Sequence, residues 1–146
     1  CVEMGAEKVG ALIILKQSSD ISVVEESGIA IDAKVSTPLI ENVFFKNAPL
    51  HDGAMIIHNG RIVAAKCVLP STQQAVPKSY GMRHRAALGM SEVSDAIIIA
   101  VSEETGQISL AHDSVIKRNI EPAHLTKAIR EMMRKNDRKR ESNETA

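Results

Sequence analysis

Three short segments hold the side chains with chemistry to offer. In Leu50-His51-Asp52-Gly53-Ala54, a carboxylate is followed by two small residues that let a ligand come close to the backbone. Asp52 can accept a proton or bind a divalent cation there, and His51 beside it can share that ion. The plainer reading is that Asp52-Gly53 is only a turn opening the next strand. In Arg83-His84-Arg85, two guanidinium groups stand where a helix is expected to begin. A helix N-terminus carries partial positive charge and favours acidic or capping residues, so cations there break a local rule. A bound anion resolves the conflict, because free backbone N–H groups and guanidinium forks together make a phosphate site. A solvated basic turn is the alternative. In Ser102-Glu103-Glu104, two carboxylates follow an apolar strand, a place where α/β folds put ligand-binding loops. A carboxylate here would complete a metal site with His51 and Asp52; otherwise the segment is a solvated turn before Gly106.

The elements that must position these segments follow from the apolar pattern. Val9 to Leu15 and Ala96 to Val101 are continuous apolar runs of strand length, suited to strands buried on both faces. Ala54 to His58 and Arg61 to Val68 read as a hairpin, with Asn59-Gly60 supplying the positive φ angles of a tight turn. Ile108 to Ala111 makes a further strand. Thr37 as cap and Pro38 at the first helical position start a helix to about Phe45, with Leu39, Ile40, Val43 and Phe44 facing the core. Residues 1–8 suit the end of a helix. The stretch after Ser18-Ser19-Asp20 reads as irregular as far as Lys34, with one short strand at most. A short helix is expected from His84 to Met90, and an amphipathic one from Pro122 to Lys135 with Leu125, Ile129 and Met132 inward. The order of elements predicts an α/β fold, a mixed β-sheet flanked by helices, in one domain over residues 1–135. From Asn136 to Ala146 the chain is almost wholly polar, and a disordered tail is expected.

Composition narrows the function. The 146 residues suit one domain, and 44% are hydrophobic, enough for one core. With 18 basic and 18 acidic residues, broad attraction to nucleic acid or anionic lipid is not supported. Phe44, Phe45 and Tyr80 are the only aromatic residues, too few for a base-stacking platform. Cys1 and Cys67 show neither zinc spacing nor a disulfide framework, which fits a reducing compartment. No apolar run approaches the ~18 residues of a membrane span. His58, His112 and His124 receive no role. No Walker A, G-x-G-x-x-G, H-E-x-x-H or G-x-S-x-G motif is present, which removes the commonest nucleotide and hydrolase explanations.

Taken together, L-H-D-G-A at 50–54, G-M-R-H-R-A-A at 81–87 and V-S-E-E-T-G at 101–106 closely resemble the diadenylate cyclase domain of the DisA type. Their order and spacing carry the likeness, with the linking N-A-P-L-H-D-G-A, and it runs from Gly5 to Arg134. The surrounding pattern most resembles the membrane-anchored cyclases. A chain beginning at Cys1 would then follow transmembrane helices that lie outside it, and would work in the cytoplasm at the inner face of the membrane.

The resemblance implies a nucleotidyltransferase that condenses two ATP into the second messenger cyclic di-AMP and releases two pyrophosphates. Each subunit would bind one ATP, so catalysis would need a facing homodimer. By the same analogy Asp52 activates the attacking hydroxyl, Gly53 and Ala54 lie close to the ribose and phosphates, and Arg83, His84 and Arg85 hold the phosphates. Leu69 and Met82 are expected against the adenine, and Ser102 and Glu103 in the ATP site. His51, Asp52 and Glu104 are the expected ligands of Mn²⁺ or Mg²⁺. Many members have Thr where this chain has Met82, so one nucleotide-binding hydroxyl is missing. A non-catalytic domain that senses adenine nucleotides is the competing reading, and Asp52 and Glu104 argue against it, since a sensor needs no base. A nucleic-acid-binding module is disfavoured by the charge balance and scarce aromatics.

Overall fold

Alternation of apolar side chains along the strands gives the sheet two buried faces. The computed structural model describes residues 1–145, and its strands are β1 (Ala11–Leu15), β2 (Ile29–Lys34), β3 (Ala54–His58), β4 (Arg61–Cys67), β5 (Ile97–Val101), β6 (Ile108–His112) and β7 (Val115–Ile120). They form one sheet in the order β2-β4-β3-β1-β5-β6-β7. β1 and β3 are parallel and the other neighbours antiparallel, so the sheet is mixed, as expected. Ala11, Ile13, Met55, Ile97, Ile99 and Val101 pack on one face against Met4, Val43, Phe44, Leu125 and Met132. Leu12, Ile14, Ala54, Ile56, Ile98 and Ala100 pack on the other against Ile21, Ala87 and Met90. Each isoleucine buried in this way stabilises the fold by ~1.5–3 kcal/mol. The period-2 split over two faces is why these runs read as continuously apolar.

Helices α1 (Val2–Ala6), α3 (Thr37–Phe44) and α5 (Leu125–Thr145) cover the first face, and α2 (Ser22–Glu26) and α4 (Met82–Val93) the second. The cap of α3 is Ser36, not Thr37: its hydroxyl accepts from the Leu39 N–H at 3.3 Å. Asn59 and Gly60 have φ of 49° and 74°, the left-handed pair expected of the β3–β4 hairpin turn. The stretch read as irregular contains α2 and the edge strand β2. β7, another edge strand, was not expected at all. Both edge strands are mostly exposed, so neither shows the apolar signal that marks β1 and β5.

The expected disordered tail is helical through Thr145; Ala146 lies outside the described residues. Asn136 anchors it. His112, at the end of β6 and 6% exposed, donates from Nε2 to Asn136 Oδ1 at 2.7 Å. Asn136 Nδ2 donates in turn to the Asp95 carbonyl at 2.8 Å. Further along, Lys139 meets Asp113 at 2.6 Å and Arg140 meets Ser18 at 2.9 Å. Asn136→Ala is expected to cost about 1–3 kcal/mol by leaving the buried His112 N–H unpaired. A lowered thermal midpoint, with faster amide exchange beyond residue 135, is the measured outcome.

Candidate active site

Strand direction brings the three chemical segments to one end of the sheet. Because β1 and β3 run parallel, Gly10 and Gly53 precede their first residues at the same end. β5 runs antiparallel to β1 with Val101 opposite Ala11, which delivers Ser102-Glu103-Glu104 there. β4 pairs Cys67 with Ala54, so Val68 and Leu69 leave the sheet at this end too. The guanidinium of Arg83, in the first turn of α4, reaches Gly10.

Asp52 stands at the lip of β3, exposed, with no hydrogen bond or ion pair on its carboxylate among the described residues. Gly53 behind it has φ +103°, and a Cβ there would lie 2.9 Å from the Cys67 carbonyl oxygen. Conformation and space both require glycine at this position. The β3–β4 register shifts beside it, and Lys66 opposite takes φ 57°. Such bulges re-aim side chains near functional sites. Asp52-Gly53 is thus a structural turn that also presents a free carboxylate.

Arg83 lies with its side chain 27% exposed and its Nη1 3.7 Å from Glu103 Oε1. A Cβ on Gly10 would lie 2.6 Å from Arg83 Cζ. Sequence reasoning gave Gly10 no role, although a glycine inside an apolar strand-like run is a signal of close approach. Arg85 donates from Nε to the Tyr80 carbonyl at 3.2 Å, and its terminal nitrogens have no partner among the described residues.

His84 departs from the expected role. It is 6% exposed and turned into the fold. Its Nδ1 accepts from the Gly81 N–H at 3.4 Å, and Nε2 faces Ser109 Oγ at 3.4 Å. Gly81 has no side chain to return the bond, so His84 supplies half of a capping box for α4. Its surroundings are the fold's own, and the arginines on either side are the groups left for a ligand. Burial lowers the His84 pKa, and the charge of Arg118 adds to the effect. With the folded value depressed, the unfolded chain takes up the proton first as pH falls. The stabilisation is complete above the unfolded value of about 6.5 and declines below it, toward the lowered folded value. His84→Gln keeps an N3 acceptor without titrating. Its thermal midpoint is expected to fall less than that of the wild type between about pH 6.5 and 5. An unchanged profile would show that His84 does not control this limb.

The Ser102 hydroxyl oxygen accepts from the N–H groups of Glu104 and Thr105, both at 3.2 Å, and fixes the turn that carries the two carboxylates. The expected metal trio is not assembled: among the described residues no three His, Cys, Asp or Glu groups could together hold an ion. The two neighbours His51 and Asp52 remain. His51 donates from Nδ1 to the Ala48 carbonyl at 2.7 Å, which leaves Nε2 as a ligand atom. One or two protein donors with phosphate oxygens and water suit a hard cation such as Mg²⁺, so the residues present fit a metal shared with substrate. Met82 is 88% exposed at the start of α4, and Leu69 is half-buried against the core cluster on the α4 side of the sheet. Asp52, Met82, Glu103 and Glu104 are all exposed, so this end of the sheet is open. A cavity of about 530 Å³ lies at the opposite end, lined by Leu15, Lys16, His58 and Arg140, and takes in none of these residues.

The family model described as DisA bacterial checkpoint controller nucleotide-binding matches residues 1–116. The cyclic di-AMP synthase CdaA of Bacillus subtilis (strain 168) is 40% identical over 141 residues, covering 96% of this chain and 52% of that protein. A diadenylate cyclase of Listeria monocytogenes (strain 10403S) is 43% identical over 127 residues, covering 86% of this chain and 46% of that protein. The chain spans about half the length of the curated relatives it matches. A crystal structure of a DacA double mutant from Staphylococcus aureus superposes with a TM-score of 0.87 at 42% identity, covering 90% of this chain and 88% of that one. Fold and sequence agree, and the chain belongs to the DisA-type nucleotide-binding (DAC) family.

Proposed function

We propose that this chain is the catalytic domain of a diadenylate cyclase, which converts two ATP into cyclic di-AMP and two pyrophosphates. The observation that carries the reading is the meeting of the unpaired Asp52 carboxylate, Arg83 and the Glu103 turn at one open end of the sheet, in a member of this family. Relatives named cyclic di-AMP synthase and diadenylate cyclase support it. Arg83 and the free nitrogens of Arg85 hold the phosphates, while backbone N–H groups of the first turn of α4 add to the field. Asp52 accepts the proton of a ribose 3′-hydroxyl. The 3′-oxygen bonds to the α-phosphorus of the facing ATP, and the bond to the bridging oxygen breaks. Pyrophosphate leaves with that electron pair. Repeating the displacement with the partners exchanged closes the ring. Gly53 and Ala54 admit the ribose, Leu69 and Met82 offer apolar surface for adenine, and Ser102 and Glu103 border the nucleotide. Asp52 and the Nε2 of His51 would hold Mn²⁺ or Mg²⁺, which supplies charge neutralisation on the phosphates when bound. An open site is suited to closure by a second copy that brings the second ATP, so the active form is a facing homodimer.

No helix of the described residues is long and apolar enough to cross a membrane. A solved neighbour is titled a hypothetical membrane spanning protein, from Bacillus cereus, at 39% identity and TM-score 0.78. We place this domain at the inner face of the cell membrane, anchored by a segment outside the chain.

The test is incubation with ATP and Mn²⁺ or Mg²⁺, followed by mass spectrometry for cyclic di-AMP, on the chain and on a tandem-linked dimer. Product is expected, with specific activity of the unlinked chain rising with concentration. Nucleotide binding without product in the linked dimer, across both metals, would establish a sensor instead.

A further inference from the structure

Gly10 is a glycine that its own backbone does not require. It is buried immediately before β1, and its φ lies outside the left-handed region occupied by Gly53, Gly60 and Gly106. Space is the constraint: an added Cβ would lie 2.6 Å from Cζ of Arg83 and 2.8 Å from each of its terminal nitrogens. All three atoms are the far end of a flexible side chain. A side chain at position 10 would therefore move the guanidinium rather than the sheet, unlike one at Gly53, which would meet the backbone of Lys66 and Cys67. Glu103 stands 3.7 Å from the same guanidinium, exposed and screened, too weak a partner to hold it alone.

We propose that Gly10 is a positioning residue of the nucleotide site, its bare Cα forming the seat that aims the Arg83 guanidinium at a phosphate. The inference deepens the nucleotide-site reading and rests on it. A bidentate contact tolerates little displacement of the fork, so the seat acts on affinity through Arg83 and not through the fold.

The experiment is a double-mutant cycle on the full chain. Calorimetric titration uses Mg²⁺ and 3′-deoxy-ATP, which lacks the attacking hydroxyl, with the wild type, Gly10→Ala, Arg83→Ala and the double variant. Gly10→Ala is expected to weaken binding roughly tenfold, the loss of about one charge-assisted hydrogen bond. In the Arg83→Ala background the same change is expected to alter affinity by less than about twofold, because the seat then holds nothing. Binding by Gly10→Ala equal to wild type overturns the inference and leaves the nucleotide site standing. A loss that persists without Arg83 also overturns it, since Gly10 would then act through the fold. No binding by the wild type removes the site and the inference together. Should Gly10→Ala fail to fold, recovery of folding in the double variant supports the clash with Arg83, and failure of both variants overturns it.

Discussion

Asp52→Asn is expected to lower cyclic di-AMP formation by ~10²–10⁴-fold while nucleotide affinity stays within about threefold of wild type. The carboxylate is exposed and bears no ion pair or hydrogen bond among the described residues, so the isosteric amide removes no contact seen there. Surface changes of that kind shift stability by about 0.5 kcal/mol or less. What disappears is an acceptor for the 3′-hydroxyl proton and a negative donor for a cation. Asn retains the size of Asp and the approach over Gly53, whose conformation does not depend on its neighbour's charge. A turnover assay on the linked dimer, beside calorimetry with 3′-deoxy-ATP, separates the two quantities. Normal turnover by the variant would remove Asp52 from the chemistry and reduce Asp52-Gly53 to a turn.

Arg83→Ala should separate function from stability. Losing its charged hydrogen bonds to phosphate is expected to weaken ATP binding by ~10–100-fold. Stability should hardly move. A cation near a helix N-terminus is unfavourable by ~0.3–1 kcal/mol, so its removal helps α4. The 3.7 Å pair with Glu103, exposed on the Glu103 side, is worth ~0–1 kcal/mol, so its loss offsets that gain. Arg83→Lys keeps the charge but not the planar fork, and is expected to fall between. Thermal denaturation beside calorimetry reads both effects. A large drop in thermal midpoint in step with the affinity would show that Arg83 belongs to the architecture.

The three residues at the start of α4 do not share one environment. Arg83 and Arg85 leave groups for a ligand, but His84 between them turns inward, because the residue at N3 faces back toward the cap and the sheet below it. Sequence spacing shows that three polar residues begin a helix and not which of them the core claims. The same blindness produced the metal trio. His51 and Asp52 are neighbours in the chain, whereas Glu104 depends on a turn whose shape is set by the Ser102 hydroxyl.

By itself the sequence determined what local physics controls. The doubly apolar runs named β1 and β5, Asn59-Gly60 named the hairpin, and the ordered motifs named the family. Edge strand β7 escaped notice, and β2 was foreseen only as one short strand in an irregular stretch, because an exposed strand needs pairing rather than hydrophobicity to form. The C-terminal helix was legible as far as Lys135; its continuation escaped because the anchor is one Asn136 bonded to His112 and Asp95, residues distant in sequence. Tertiary structure alone decided that Gly10, more than seventy positions before Arg83, lies beneath its guanidinium. Strand direction is the physical reason. A parallel β1–β3 pair with an antiparallel β5 puts two strand starts and one strand end at the same edge, and no pattern within a single segment encodes that meeting.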